Sequence, residues 1–246
     1  MSGLRSMSVR KWREKRPSVA VAIPMNFSLH RDAVVSQLNL FRRLRDTDVS
    51  MIDAETAVVS FTRNKLVKRF LDLPEEVEYL LMLDDDIVVD PAVIEKLSIH
   101  KRDIISAVYY KKAHPYEPVV YMATPTKGGE RDDFNLFGQQ DTDYHLIAGV
   151  PHDKGLFTVD GVGAGCLLVH RRVYAAMEPP WFAFEGSGED LYFCRKAKAL
   201  GFEVHLDTSL HLGHVGARTV TRDDYAAHQG SIDTITAEEM HASIAS

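Results

Sequence analysis

The segment Glu78–Leu83 (E-Y-L-L-M-L) is too short for a buried helix and runs directly into three aspartates, Asp84-Asp85-Asp86. An apolar run of this length suits a strand covered on both faces, as strands in mostly parallel sheets are. Other segments supply matching strands: Ser18–Pro24, Thr56–Ser60, Asp103–Tyr110, Gly165–His170 and Phe202–Leu206. Helical patterns alternate with them. Val34, Leu38, Phe41 and Leu44 recur at three- and four-residue spacing, and Lys65–Leu71 turns Leu66, Val67 and Phe70 to one side. Asp90-Pro91 is a helix start that puts Val93, Ile94 and Leu97 inward. A short helix runs through Tyr174 and Met177, and Glu189–Leu200 carries Leu191, Cys194, Ala197 and Leu200 on one stripe before Gly201. This order predicts an α/β fold with a mostly parallel central sheet and helices on both faces.

At 246 residues, 45% hydrophobic and 26% charged, the chain is sized for one such domain with a substantial core. No apolar run approaches the roughly 18 residues of a bilayer span, and the N-terminus lacks the apolar stretch of a secretory signal. A cytoplasmic protein is the simplest reading. Two cysteines, Cys166 and Cys194, are too few for a Cys-rich zinc site. Residues 1–17 hold six basic groups against Glu14, whereas the whole chain carries -6, so the remainder is strongly acidic. Such a body is a poor general surface for nucleic acid. The arm 1–17 reads as a flexible, solubilising segment, with Trp12 as a stacking group should it meet a polyanion. Between Lys111 and about Thr158 the periodicity dissolves into loops and short hairpins, with the character of a lid. Residues 217–246 read as a polar tail.

Chemistry concentrates in a few places. Ligands of open α/β sheets bind at the carboxyl ends of strands, where Asp84, Asp85 and Asp86 lie. Crowded carboxylates repel unless a cation compensates, and oxygen donors of this kind suit Mn²⁺ or Mg²⁺ and, through the ion, a diphosphate. A solvated turn is the bland alternative. His211 and His214 follow the last strand, where an imidazole could reach the same ion. Glu189-Asp190 opens a helix, so its carboxylates are either a macrodipole complement or an acid–base pair. Trp181 and Phe182 in the preceding loop offer apolar surface, and Gly188 allows close approach. Gly161, Gly163 and Gly165 are not a dinucleotide fingerprint, since the first strand lacks G-x-G-x-x-G and no helix follows them directly, and such small residues could leave room for a sugar ring. Arg63-Asn64 and Lys111-Lys112 are donors for phosphate or base.

Taken in order, these segments resemble the GT-A glycosyltransferases, especially family-2-like and phage-type members. The resemblance rests on Val19–Pro24, Thr62-Arg63-Asn64, Leu83-Asp84-Asp85-Asp86 (D-x-D), Ile104–Tyr110, Val159–Gly165, Gly188-Glu189-Asp190 (E-D) and the late histidine, and spans about residues 18–216. It implies a GT-A (Rossmann-like) domain that uses a nucleotide-sugar donor, foremost a UDP-sugar. Asp84, Asp86 and His214 (His211 as the lesser choice) would hold the Mn²⁺ or Mg²⁺. Pro24, Arg63, Asn64, Asp84, Asp85, Gly163 and Gly165 would border the donor. Asp190, beside Glu189, would be the base, with Trp181, Phe182 and Gly188 on the acceptor side. The implied reaction is an in-line, inverting transfer to a hydroxyl of a carbohydrate, a small molecule or a modified DNA base. Three rivals remain. Asp84-x-Asp86-x-Val88 fits a haloacid-dehalogenase-type phosphatase, a nucleotidyltransferase shares the nucleotide and metal requirements, and a non-catalytic module would bind sugar nucleotide without turning it over.

Overall fold

Period-two alternation decides which residues meet which layer of helices. The computed structural model describes residues 9–25, 30–53, 58–125, 142–146, 150, 155–184, 188–216 and 219–228. In β1 (Ser18–Pro24), Val19, Val21 and Ile23 face one side and join a buried cluster with Leu40, Val93, Ile94 and Leu97. Ala20 and Ala22 face the other and pack with Leu66, Val67 and Phe70. The same division runs through β3 (Val77–Leu83), where Tyr79, Leu81 and Leu83 oppose Leu80 and Met82. The first cluster is roofed by α2 (Arg31–Phe41) and α4 (Val93–Ser98), and the second by α3 (Val59–Leu71), α5 (Arg171–Ala175) and α6 (Glu189–Ala199).

The central sheet also contains β2 (Val49–Asp53), β5 (Ile104–Val108), β8 (Leu156–Val159), β10 (Cys166–His170) and β11 (Val204–His211), in the order β2-β1-β3-β10-β5-β11-β8. Strands β2, β1, β3, β5 and β11 run one way, while β10 and β8 run against their neighbours. Most of the sheet is therefore co-directional, as expected, with one reversed strand inside it. Two small sheets flank it. Strand β4 (Ile87–Val88) pairs with β12 (Gly213–Val215), which pairs with β13 (Thr219–Val220). Strand β6 (Val120–Pro125) pairs with both β7 (Thr142–Leu146) and β9 (Gly161–Val162). No helix among the described residues is long and apolar enough to cross a membrane.

Several expectations need correction. Thr56–Ser60 is not a strand as a whole, because Val59 and Ser60 already belong to α3 and 54–57 lie outside the described residues. The second strand is Val49–Asp53, an edge strand in which Ile52 faces out and Asp53 is buried, so its polarity does not mark its period. Helix α2 is rotated from its apolar pattern: Ala33, Ser36, Gln37 and Leu40 are buried while Leu38 is exposed, since Ser36 and Gln37 bond to the turn after β3. The basic arm is not loose where it is described. Its residues Val9–Lys15 form α1, the Trp12 indole is buried and donates to Ser98 Oγ at 2.9 Å, and Arg16 forms a buried fork on Asp48. Trp12 is thus unavailable for stacking on a polyanion. The polar tail also begins later than 217, because β13 and α7 (Arg222–His228) belong to the domain and Tyr225 is fully buried, stacked on Tyr110. Within 111–158, the β6–β7 hairpin and edge strand β8 are described, and 126–141 lie outside the described residues. Cys166 and Cys194 are both free and buried, and burial pushes each thiol up to about 12.

Candidate functional site

Strand β3 delivers the aspartates to the carboxyl edge of the sheet, and three neighbours fix the turn that follows. The Asp84 amide donates to Gly165 O at 3.0 Å, Gln37 Nε2 donates to Asp84 O at 3.0 Å, and the Val89 amide donates to Ser36 Oγ at 3.0 Å. Asp85 is buried within this turn. Because β4 follows immediately and pairs with β12, His214 lies opposite Ile87, and the Val215 amide donates to Asp86 O at 2.8 Å. Residues more than a hundred positions apart are in this way brought together by backbone pairing.

His214 Nδ1 lies 2.7 Å from Tyr110 O. A carbonyl only accepts, so Nδ1 carries the proton, and in the neutral ring Nε2 presents a lone pair. That Nε2 lies 3.3 Å from Asp86 Oδ1, a buried oxygen with no hydrogen-bond partner. The other oxygen, Asp86 Oδ2, accepts from Lys112 Nζ. Burial works to raise the Asp86 carboxyl, but His214, in the form that also carries a proton on Nε2, and Lys112 outweigh it and hold it at about 2. Among the described residues no three His, Cys, Asp or Glu side chains converge on one ready metal position. Asp86 and His214 are a two-donor set, and the orphaned Oδ1 facing an imidazole lone pair fits a divalent ion. Mg²⁺-class ions are commonly held by one or two protein ligands with water and substrate phosphate completing the shell.

Asp84 is engaged elsewhere. Arg63, on α3 and 3% exposed, donates to both Asp84 oxygens (2.9 and 3.0 Å), to Glu189 Oε1 (2.5 Å) and to Asp190 Oδ1 (2.6 Å). One guanidinium fork therefore joins the end of β3 to the first turn of α6. Helix α6 is preceded by Gly188, whose φ of +105° favours glycine, and this turn points Glu189 and Asp190 inward. Burial lowers the Arg63 basicity, but Asp190, Asp84 and Glu189 together raise it further, so the group is permanently charged. Asp190 is pushed above the ordinary carboxylate range, first by burial and then by Glu189 and Asp84, with Arg63 opposing.

The remaining expected site residues divide. Asn64 is occupied structurally: its Oδ1 accepts from the Trp181 and Phe182 amides (2.8 and 3.1 Å), and its Nδ2 donates to Phe182 O (2.7 Å). Trp181 and Phe182 are buried, the former donating to Tyr174 O and the latter stacked on Phe193 at 5.1 Å. They support the loop from behind instead of offering an acceptor surface. Gly163 and Gly165 do not leave an open space for a sugar. A Cβ on Gly163 would strike Tyr109 Oη, and one on Gly165 would lie 2.9 Å from Tyr109 Cζ, so the buried tyrosine fills that room. Tyr109 in turn sets its ring edge-to-face with His214 at 5.4 Å. Pro24 ends β1 at the same sheet edge, paired with Asp53. His211 Nδ1 is bonded to Tyr110 Oη at 2.7 Å, leaving His214 as the histidine beside Asp86. Sequence reasoning missed Gln37, Tyr109 and the Tyr110 carbonyl, whose contributions come from packing or backbone. It named Lys112 as a donor without assigning it to Asp86.

Together these features define an α/β protein with a largely co-directional, helix-covered sheet, whose carboxyl edge carries a three-carboxylate cluster on Arg63 and, apart from it, Asp86 with His214 and Lys112. No protein-family model matches the sequence, and no curated protein matches it. Among solved structures, the chain is similar to the crystal structure of A197 from STIV, at 19% identity and a TM-score of 0.59. The match covers 84% of this chain and 91% of that one, and at this identity the likeness is one of fold.

Proposed function

We propose that the chain is a GT-A-type glycosyltransferase that moves a sugar from a nucleotide-sugar donor, foremost a UDP-sugar, to an acceptor hydroxyl. The observation that carries this reading is the meeting, at one sheet edge, of Asp86 and His214 with the Arg63-linked pair Glu189-Asp190. The D-x-D segment at the end of β3 and the E-D segment at the start of α6 are the motifs on which the resemblance in the sequence rests, and they support this reading.

In this reading Asp86 and His214 hold Mn²⁺ or Mg²⁺. A bound ion of that class spreads the charge that builds on a departing nucleoside diphosphate. On the acceptor side, Asp190 takes the proton of the attacking hydroxyl, its raised carboxyl making it a better base than a free aspartate. The acceptor oxygen bonds to the anomeric carbon as the bond to the diphosphate oxygen breaks on the opposite face, so the configuration inverts. Arg63 keeps Asp190 ionised and fixes its distance from the β3 turn. Carbohydrate, small-molecule hydroxyl and modified DNA base are the acceptor classes to test.

A haloacid-dehalogenase-type phosphatase would need Asp84 as a free nucleophile. Both Asp84 oxygens accept from Arg63, and the residue follows the third strand in the chain, so that reading is disfavoured. The test is a panel of UDP-, GDP- and dTDP-sugars with Mn²⁺, scored for donor hydrolysis and transfer. Turnover of one donor, abolished by Asp86→Ala, is expected. Phosphate release from simple phosphoesters without sugar transfer would overturn the proposal.

A further inference from the structure

We propose that Lys112 is the resident counter-ion of the Asp86 site: its ammonium occupies Asp86 Oδ2 until a divalent ion arrives, and then turns to the donor diphosphate. This deepens the glycosyltransferase reading and rests on it.

Lys112 Nζ donates to Asp86 Oδ2, while Asp86 Oδ1 is left with His214 Nε2 at 3.3 Å. The carboxylate therefore has one oxygen neutralised by a lysine and one facing a nitrogen lone pair. Asp86 is only 16% exposed, whereas Lys112 is 42% exposed, so the base of the pair is fixed and its cation can leave for water. The lysine stem is not loose. A Cβ on Gly216 would meet Lys112 Cβ at 3.2 Å, so the backbone after β12 passes close along it. This close approach keeps the ammonium near the edge that carries Asp86 and His214, whatever its immediate partner. Lys112 also sits at the head of the excursion that returns at the Tyr110–Pro118 bridge, beside the Lys111–Glu117 ion pair at 3.0 Å.

A divalent ion on Asp86 and His214 would compete with the ammonium for Asp86 and repel it. The nearest anions such an ion brings are the phosphates it holds, and an ammonium serves as a point-charge phosphate donor. Lys112 would accordingly oppose ion binding by the free protein and favour nucleotide binding once the ion is present. The two effects have opposite signs, and that separates this role from a merely structural ion pair.

The test uses the full chain and two probes, Mn²⁺ alone by electron paramagnetic resonance and UDP in saturating Mn²⁺ by calorimetry, on wild type, Lys112→Met and Asp86→Asn. Removing a partly exposed ion-pair partner predicts that Lys112→Met binds Mn²⁺ about fivefold tighter, while UDP binds about fivefold more weakly. Unchanged or weaker Mn²⁺ binding by Lys112→Met, with binding still lost in Asp86→Asn, overturns the role of Lys112 and leaves the site reading intact. Mn²⁺ binding that survives Asp86→Asn overturns both. Melting curves of the metal-free variants verify that each is folded.

Discussion

The two halves of the carboxyl edge solve the same electrostatic problem differently. Beside α6, three carboxylates from two elements share Arg63, which is 3% exposed and holds them with four hydrogen bonds. On the opposite side, Asp86 is served by His214 and by Lys112, a half-exposed lysine on a surface excursion. A planar fork buried among its partners is a permanent strut, whereas an ammonium at the rim is exchangeable. The contrast teaches where the site is built once and where it is open to a ligand.

The largest test of that contrast is kinetic. Asp190→Asn should lower kcat by roughly two to four orders of magnitude, the usual worth of a general base, with donor affinity retained. A variant within a few-fold of wild type would remove Asp190 from the chemistry. Next in size is Arg63→Met, which strands Asp84, Glu189 and Asp190 without compensation and should cost about 3–5 kcal/mol in chemical denaturation. Arg63→Lys should recover little, since one ammonium cannot span three carboxylates; full recovery would mean that charge alone, not the fork, matters.

The halves should also differ in the sign of their pH response. Asp86 is held at about 2, below the 3.8 of a free aspartate, so its contribution is complete above about pH 4 and is lost as the pH falls toward 2. In metal-free protein, Asp86→Asn should therefore cost about 2 kcal/mol at pH 7 and almost nothing near pH 2. Asp190 is shifted upward from 3.8, so ionising it in the folded state costs stability as the pH rises through and above that value. Asp190→Asn should raise the melting temperature at pH 7 by about 3 °C and leave it unchanged near pH 3. Parallel responses from the two substitutions would erase the distinction. The smallest effect is expected of Lys112→Met, at most about 1 kcal/mol in metal-free protein, as for a partly exposed ion pair.

What the sequence made legible follows the strength of the local signal. The apolar run of β3 ending in three aspartates, and the glycine followed by Glu189-Asp190 at the start of α6, are contiguous patterns and were readable as such. The edge strand β2 is hidden in the sequence because Ile52 is exposed and Asp53 is buried, which reverses the apolar-in, polar-out alternation. The face of α2 was misjudged because two polar residues, Ser36 and Gln37, point inward to hold the β3 turn, against the rule that apolar residues mark the buried side. The union of Arg63 with Asp84, Glu189 and Asp190 spans 127 positions, and no local pattern encodes it. Gly163 and Gly165 read in the sequence as room for a sugar ring, and only packing reveals that Tyr109 fills it.

The central claim is that Asp86 and His214 form the cation half of a nucleotide-sugar site. Anomalous scattering from a crystal soaked in Mn²⁺ and UDP addresses it most directly. The account predicts a manganese peak at ligand distance, about 2.0–2.3 Å, from Asp86 Oδ1 and His214 Nε2, with the UDP phosphates completing the shell. A peak elsewhere, or none at all with Lys112 still on Asp86, would contradict it.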